Sequence, residues 1–291
     1  MRSLSIPMRT LAAGLALLLA APAFAAEPDE AEDAAAAVPG DEGASELRDL
    51  TTDRPDVTES PFTVDAGHIQ LETTLLGYTR SRRDAAGVVT DSYEFATTNL
   101  RIGVADNLEV DVVWQPYGVA DPRAGGGVSR GIGSVDLRAK LNLWGNDGPA
   151  GPGDTALALL PYVTLPTDRD NGIGGSRTAF GLIVPLAIEL GGGFGLGLNA
   201  AANFTRERSN APYDAAVLTS ASLAYEWTDR LGTYSEVVWE FSRGGEGDVV
   251  TLDTGFTFAL GKNWQFDAGI NVGVTRAADP IAPFVGISAR F

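Results

Sequence analysis

The feature that most constrains this chain is a two-residue alternation of apolar with small or polar side chains. It holds its phase for about 11 to 13 residues at a time, about twice the length of a globular-protein strand. Over 264–275 one set is Trp264, Phe266, Ala268, Ile270, Val272 and Val274, and the opposite set is Gln265, Asp267, Gly269, Asn271, Gly273 and Thr275. Over 194–206 the sets are Phe194, Leu196, Leu198, Ala200, Ala202 and Phe204 against Gly195, Gly197, Asn199, Ala201, Asn203 and Thr205. Alternation by itself suits a soluble sandwich or a membrane barrel, because both bury one face of every strand. The second face separates them. A solvent-facing sheet is usually shielded by long Lys, Glu and Thr side chains, whereas this face is mostly Gly, Ala, Asn, Ser and Thr, the sizes a narrow curved lumen can hold. Glycine is correspondingly abundant, 35 of 291 residues, and is spread along the alternating segments.

The N-terminus reads as a targeting segment. Arg2 and Arg9 precede the apolar run Leu11 to Ala20, and Ala23-Phe24-Ala25 offers small residues for cleavage, the order of a secretory signal peptide over 1–26. The run is too short to cross a bilayer as a helix, and no other apolar run approaches that length, so a membrane protein of this sequence has to cross with strands. Losing Arg2 and Arg9 takes the formal charge from −17 to −19. So acidic a chain is not suited to nucleic acid or to an anionic membrane surface as a whole. It has no cysteine, hence no disulfide, thiolate metal site or cysteine-linked lipid. Residues 27–49 carry nine acids against the single Arg48 and predict a disordered acidic, Ala-rich tail.

From 67 to 291 the pattern predicts an all-β fold, a transmembrane antiparallel up-and-down β-barrel of about 12 strands. The strands are expected near 68–79, 92–104, 108–117, 131–144, 155–165, 177–190, 194–206, 215–227, 231–243, 249–260, 264–275 and 281–291. The links at Ala105-Asp106-Asn107, Gly191 to Gly193, Thr228-Asp229-Arg230 and Gly261-Lys262-Asn263 are tight and rich in Gly, Asn or Asp. They alternate with longer ones such as Ser81 to Asp91, Gly118 to Arg130 and Pro166 to Ser176, with Gly145 to Asp154 a long exception on the short side. Short turns on one side and long loops on the other imply that both termini are periplasmic. That orientation places Trp144, Phe194, Trp227, Trp264 and Phe291 in one interfacial belt, and Trp114, Phe180, Phe204, Trp239 and Phe241 near the other.

The last stretch, Ile281 to Phe291, ends an alternating strand on an aromatic residue and resembles the closing strand of bacterial outer-membrane barrels. That resemblance implies Phe291 as the contact read by the barrel-assembly machinery. A second resemblance begins at Thr52-Asp53-Arg54-Pro55-Asp56-Val57-Thr58-Glu59-Ser60-Pro61-Phe62, an extended lead-in with two prolines. It continues through Arg101-Ile102-Gly103-Val104-Ala105-Asp106-Asn107-Leu108-Glu109-Val110, Gly131-Ile132-Gly133-Ser134-Val135-Asp136 with Lys140, and Pro161-Tyr162-Val163-Thr164-Leu165-Pro166-Thr167. Together these cover most of 52–291 and resemble a family of bacterial outer-membrane proteins associated with the meta-pathway of phenol degradation, or described simply as transporters. The resemblance implies an outer-membrane barrel, embedded in outer-membrane lipid, that passes small hydrophobic or aromatic solutes.

The alternation projects Glu72, Arg101, Glu109, Asp111, Asp136, Arg138, Lys140, Glu189, Glu226, Glu236, Glu240, Asp253, Asp267 and Arg290 inward, ten acids against four bases. A net negative lumen would favour cations or neutral solutes over anions, and opposite charges paired across the wall would brace it. Asp136, Arg138 and Lys140 beside Glu109 and Asp111 are the expected brace. Residues 50–66 would either enter the barrel as a plug, setting Arg54 against these carboxylates, or lie in the periplasm. An enzymatic alternative, a lipid hydrolase, rests on His68, the only histidine, with Ser288 or Ser134 as nucleophile, though no spacing selects either serine. A sealed structural barrel is the third reading. No phosphate-loop pattern or metal-ligand spacing is present, and no cofactor is expected.

Overall fold

The computed structural model describes residues 47–291 apart from 124, 168–171, 207–210 and 243–246. The expected signal peptide and all but the last three residues of the acidic tail lie outside the described residues.

Twelve antiparallel strands close into a barrel. They are β1 (Ile69–Arg80), β2 (Thr90–Ala105), β3 (Leu108–Trp114 and Tyr117–Pro122), β4 (Ser129–Gly131 and Val135–Trp144), β5 (Thr155–Leu165) and β6 (Ala179–Gly191). The other six are β7 (Phe194–Thr205), β8 (Asp214–Glu226), β9 (Leu231–Ser242), β10 (Val249–Ala259), β11 (Trp264–Gly273) and β12 (Ala282–Arg290). Each strand pairs with its neighbours in sequence, and β1 pairs with both β2 and β12, so the wall closes on itself. Closure sets Gln70 opposite Arg290 and Glu72 opposite Ser288.

Two strands are interrupted, and the cause is local. β2 pairs Thr98 with Trp114 but Phe95 with Tyr117, so Gln115-Pro116 interrupts β3 where Pro116 has no N–H to give the ladder. Opposite it, Ala96 of β2 takes a φ of 53°, and the register of β1 with β12 shifts between Thr74 and Leu76. The expected loop Gly118 to Arg130 is therefore shorter than its sequence suggests, because β3 resumes at Tyr117 and pairs with Ser129–Gly131. This also moves Trp114 from the expected far belt to the middle of β3. The ring pairs Tyr78–Tyr93 and Phe95–Tyr117 lie nearer that end, with centroids 5.3 and 5.9 Å apart.

Burial is inverted relative to a soluble protein. Glu72, Arg101, Glu109, Asp111, Lys140 and Asp267 are buried in the lumen, whereas Leu75, Leu76, Val110, Leu223, Val237, Leu252 and Val272 are exposed on the outer wall. Trp144, Phe194, Trp227, Trp264 and Phe291, the expected near belt, are all exposed, and the Trp264 and Phe291 rings meet edge-on at 5.9 Å. An outer wall of this chemistry is matched to hydrocarbon and not to water.

Candidate functional site

Residues 50–66 form no strand and lie inside the barrel near the end that carries the termini, where wall groups take up their polar atoms. Two prolines deny the segment ladder donors and keep it out of the sheet. Glu72 accepts the Asp53 N–H at 3.0 Å, Glu109 accepts the Val64 N–H at 2.7 Å, and the Asn142 side chain donates to Pro61 O at 2.9 Å. Glu236 takes the N–H groups of Val57 and Thr58, one on each oxygen, at 2.9 and 2.8 Å. The long link after β4 is part of the same seat. Asn146 Oδ1 accepts the Thr63 N–H at 2.9 Å, while its backbone oxygen accepts from Arg48 at 3.1 Å. Arg48, at the end of the expected tail, also pairs with Asp65 at 2.6 Å.

The wall of β1 to β4 holds interlocked charges, and the strand register makes it so. Asp111 lies opposite Arg101 on one side and Arg138 on the other, and Glu109 lies opposite Lys140. Arg101 bonds Glu72 at 2.7 Å and Glu109 at 2.9 Å. Lys140 bonds Glu109 at 3.0 Å and reaches Asp53 of the inserted segment at 2.7 Å. Arg138 bonds Asp136 at 3.3 Å and Glu59 of the segment at 2.8 Å. The brace expected among Glu109, Asp136, Arg138 and Lys140 is present, with one exception. Both oxygens of buried Asp111 lack a hydrogen-bond partner among the described residues. Carboxylate oxygens of Asp53, Glu109 and Asp111 lie within 4.8 Å of one another, a spacing that would suit a metal ion. Lys140 already bonds both oxygens of Asp53, and Arg101 and Lys140 hold Glu109, so the protein's own cations occupy two of the three.

Arg54 turns to the neighbouring wall of β11, β12 and β1. It grips Asp267 with two hydrogen bonds, at 2.7 and 3.2 Å, donates to the Thr74 hydroxyl and lies 5.4 Å from the Phe284 ring centroid. Gly286 on β12 makes room for it, since a Cβ there would stand 2.1 Å from an Arg54 guanidinium nitrogen.

The wall of β8 to β10 differs in kind. Ser222, Glu236 and Asp253 stand in one cross-strand row with no base among them. Asp56 of the inserted segment faces this row. Burial, then the neighbouring Glu236 charge, push its carboxyl up to about 7. Asp53 shifts the other way: burial alone would raise its carboxyl, but Arg101 and Lys140 together hold it below the ordinary value. The Tyr234 hydroxyl and one Asp253 oxygen, both buried, have no partner among the described residues.

Of the other residues projected inward, Glu240 is half-buried and Arg290 sits at the rim, bonded to Asp65 at 3.2 Å. Glu189 is half-buried and accepts the Gly191 N–H at 2.9 Å. Glu226 is a correction: it is exposed at the last position of β8, beyond the enclosed part of the lumen. The proposed hydrolase partners do not assemble. The His68 ring meets the Ala66 carbonyl at 3.2 Å, Ser288 lies opposite Glu72 and Gln265, and the Ser134 hydroxyl accepts the Gly175 N–H.

Sequence reasoning missed an apolar strip inside the lumen. Leu160, Ile183, Ala201, Leu218 and Val238 are buried together, with Val57 of the inserted segment packed on them. The strip is legible only once register shows that Leu160, Ile183, Ala201 and Leu218 stand side by side on one face.

Residues 52–291 match the family described as "Putative MetA-pathway of phenol degradation". The chain belongs to this family. No curated protein matches it. Among solved structures, an outer-membrane channel from Pseudomonas putida F1 superposes with a TM-score of 0.59 at 13% identity, covering 83% of this chain and 100% of that one. The NanC porin gives 0.49 at 8% identity, covering 75% and 98%, and the CymD monoaromatic hydrocarbon channel gives 0.42 at 10%, covering 77% and 88%. At 13% identity the likeness to the Pseudomonas putida channel is one of fold, and it agrees with the closed barrel described above. The family assignment likewise agrees with the lead-in and strand motifs of 52–167.

Proposed function

We propose that this family member is a passive outer-membrane channel for small hydrophobic or aromatic solutes, gated by residues 50–66 lodged in its lumen. The observation that carries the solute class is the apolar strip of Leu160, Ile183, Ala201, Leu218 and Val238. In a lumen lined elsewhere by ions and small polar groups, such a strip favours a solute with an apolar face. Val57 covers it while the segment is seated. Removing the segment exposes both the strip and the carboxylates around it, so size and charge select together. The lumen-lining residues are Arg54, Glu72, Arg101, Glu109, Asp111, Asp136, Arg138, Lys140, Glu236 and Glu240. None is assigned a catalytic role, and no cofactor is required.

The orientation follows the loop pattern, with the termini and the segment on the periplasmic side. Export uses the signal peptide at 1–26, and the barrel-assembly machinery reads Phe291. A Phe291→Ser variant is expected to insert poorly while its inserted fraction conducts normally, checked by heat-modifiable migration on gels and by bilayer recording.

The gate is tested by deleting residues 50–61 and recording single channels in planar bilayers. A severalfold rise in conductance supports a channel, with entry of benzoate or toluene into liposomes as the companion assay. The second reading, a sealed barrel, is favoured by the number of buried bonds holding the segment. It predicts no discrete openings in either form. His68→Ala is expected to leave uptake unchanged.

A further inference from the structure

At the barrel end away from the termini, the outer wall carries an open depression of about 340 Å3 lined by Arg80, Arg83, Gly87, Val89 and Arg123. Its direction follows from register. Gly77 pairs with Glu94, and a Cβ on Gly77 would strike the Glu94 side chain, which lies on the lumen side and accepts the Thr97 hydroxyl at 2.8 Å. Alternation then turns Tyr78 with Tyr93, and Arg80 with Asp91, toward the membrane. Along β1 the outer face runs from exposed Leu75 and Leu76, through the Tyr78–Tyr93 ring pair, to Arg80. Apolar wall, aromatic ring and cation in that order match acyl chain, interface and headgroup.

The arginines are held in place from beneath. Asp91 is 4% exposed and accepts from Tyr78 Oη at 2.8 Å, from Arg80 Nε at 3.0 Å and from Arg123 Nε. Each guanidinium is anchored by its Nε, and among the described residues its terminal NH2 groups donate to no backbone carbonyl and to no second carboxylate. Arg83 is set on the rim by a 3.0 Å bond to Gly87 O. Of the other acids nearby, Asp84 turns its carboxylate onto the N–H groups of Ala86 and Val88. Asp121, exposed and opposite Asp91 in the β2–β3 register, is the one that would oppose an anion. Two guanidinium forks fixed by a buried carboxylate, with a third on the rim, suit the fork geometry of a phosphate.

We propose that this depression binds a phosphate group on the headgroup of an outer-leaflet lipid. The leaflet rests on the orientation given above, with the termini periplasmic. The phosphate chemistry does not.

The test uses the full chain, purified in a neutral detergent, and native mass spectrometry with four probes. These are lipopolysaccharide, the same lipid dephosphorylated, phosphatidylglycerol and inorganic phosphate. Phosphorylated lipopolysaccharide is expected to bind about tenfold more tightly than its dephosphorylated form, and to lose that margin in Arg80→Gln/Arg123→Gln. Asp121→Asn is expected to bind more tightly than the parent. Should the double variant lose heat-modifiable folding, Arg83→Gln supplies the readout, because it breaks only a loop contact. Equal binding of the dephosphorylated lipid, or no change in Arg83→Gln and the double variant, overturns the pocket. Displacement by millimolar inorganic phosphate makes it a small-anion site and overturns the lipid. A preference for phosphatidylglycerol overturns the outer-leaflet assignment. Conduction is recorded in phosphatidylcholine bilayers, so failure here is distinguishable from failure of the channel reading.

Discussion

The two sides of the lumen solve the same electrostatic problem differently. On β1 to β4 every buried acid but Asp111 meets a fixed base or a hydrogen-bond donor: Arg101 bonds Glu72 and Glu109, Lys140 bonds Glu109 and Asp53, and Arg138 bonds Asp136 and Glu59. On β8 to β10, Glu236 and Asp253 stand together without a base, and what Glu236 holds is backbone N–H of the inserted segment. A buried charge with a fixed opposite partner is costly to disturb. A group of like charges is cheap to neutralise and responds to pH. In the proposed gating, the base-rich side is the frame and the acid-only side is where the segment is released.

The largest expected effect breaks the frame. Lys140→Met leaves Asp53 and Glu109 without their shared ammonium, and losing one member of a buried pair costs about 3 to 5 kcal/mol. Folded, heat-modifiable barrel should fall sharply in this variant. An intact yield would show that the base-rich side is not the frame.

Next comes the bridge between the sides. Gly286→Ala places a Cβ in contact with the Arg54 guanidinium, so the grip on Asp267 has to move. Protease nicking near residues 54–56 should increase, along with channel opening, in a barrel that still assembles.

The pH response is smaller and draws on two carboxyls of the segment, Asp56 on the acid-only side and Glu59, which burial raises from 4.5 to about 7 in spite of its bond to Arg138. Asp56 has its carboxyl raised from 3.8 to about 7, so the seated segment favours the protonated form. That contribution to seating is complete below about pH 4 and is lost as pH rises through about 7. Asp53 is shifted downward, so its contribution is present above its ordinary value of 3.8 and lost only in stronger acid. Open probability should therefore rise between about pH 5 and 8; Asp56→Asn should reduce the response, and Asp56→Asn with Glu59→Gln should flatten the profile. A profile that falls with pH would assign the release to another group.

The smallest effect is expected from Asp253→Asn. It removes one of several like charges and should leave folded yield within about 1 kcal/mol of the parent while lowering cation selectivity slightly, read from reversal potentials. If it destabilises the barrel as much as Lys140→Met does, the contrast between the two sides fails.

Alternation shows which residues face inward because the side-chain period of a strand is two, and a barrel of this curvature leaves only two places to point. Glu72, Arg101, Glu109, Asp111, Asp136, Arg138, Lys140, Glu236, Asp253 and Asp267 could be placed on that basis, and all lie buried inside. Glu226 kept the phase but fell past the end of the enclosed wall, and periodicity carries no information about height. Trp114 was misplaced because the strand expected over 108–117 runs on from Tyr117 to Pro122, which leaves Trp114 at mid-height. The arginine depression was invisible for a similar reason, since Arg80 and Arg123 meet through Asp91 only after β1, β2 and β3 pair.

Sequence alone determined that this chain is an all-β barrel of about twelve strands with a polar, net acidic interior, because face and strand length are local properties of the chain. Only the tertiary structure decided which charges neutralise one another. Lys140 meets Asp53 across 87 positions, and Arg54 meets Asp267 across 213. Distances of that kind are set by strand register and by where an unpaired segment comes to rest, and neither is written in the pattern of any one strand.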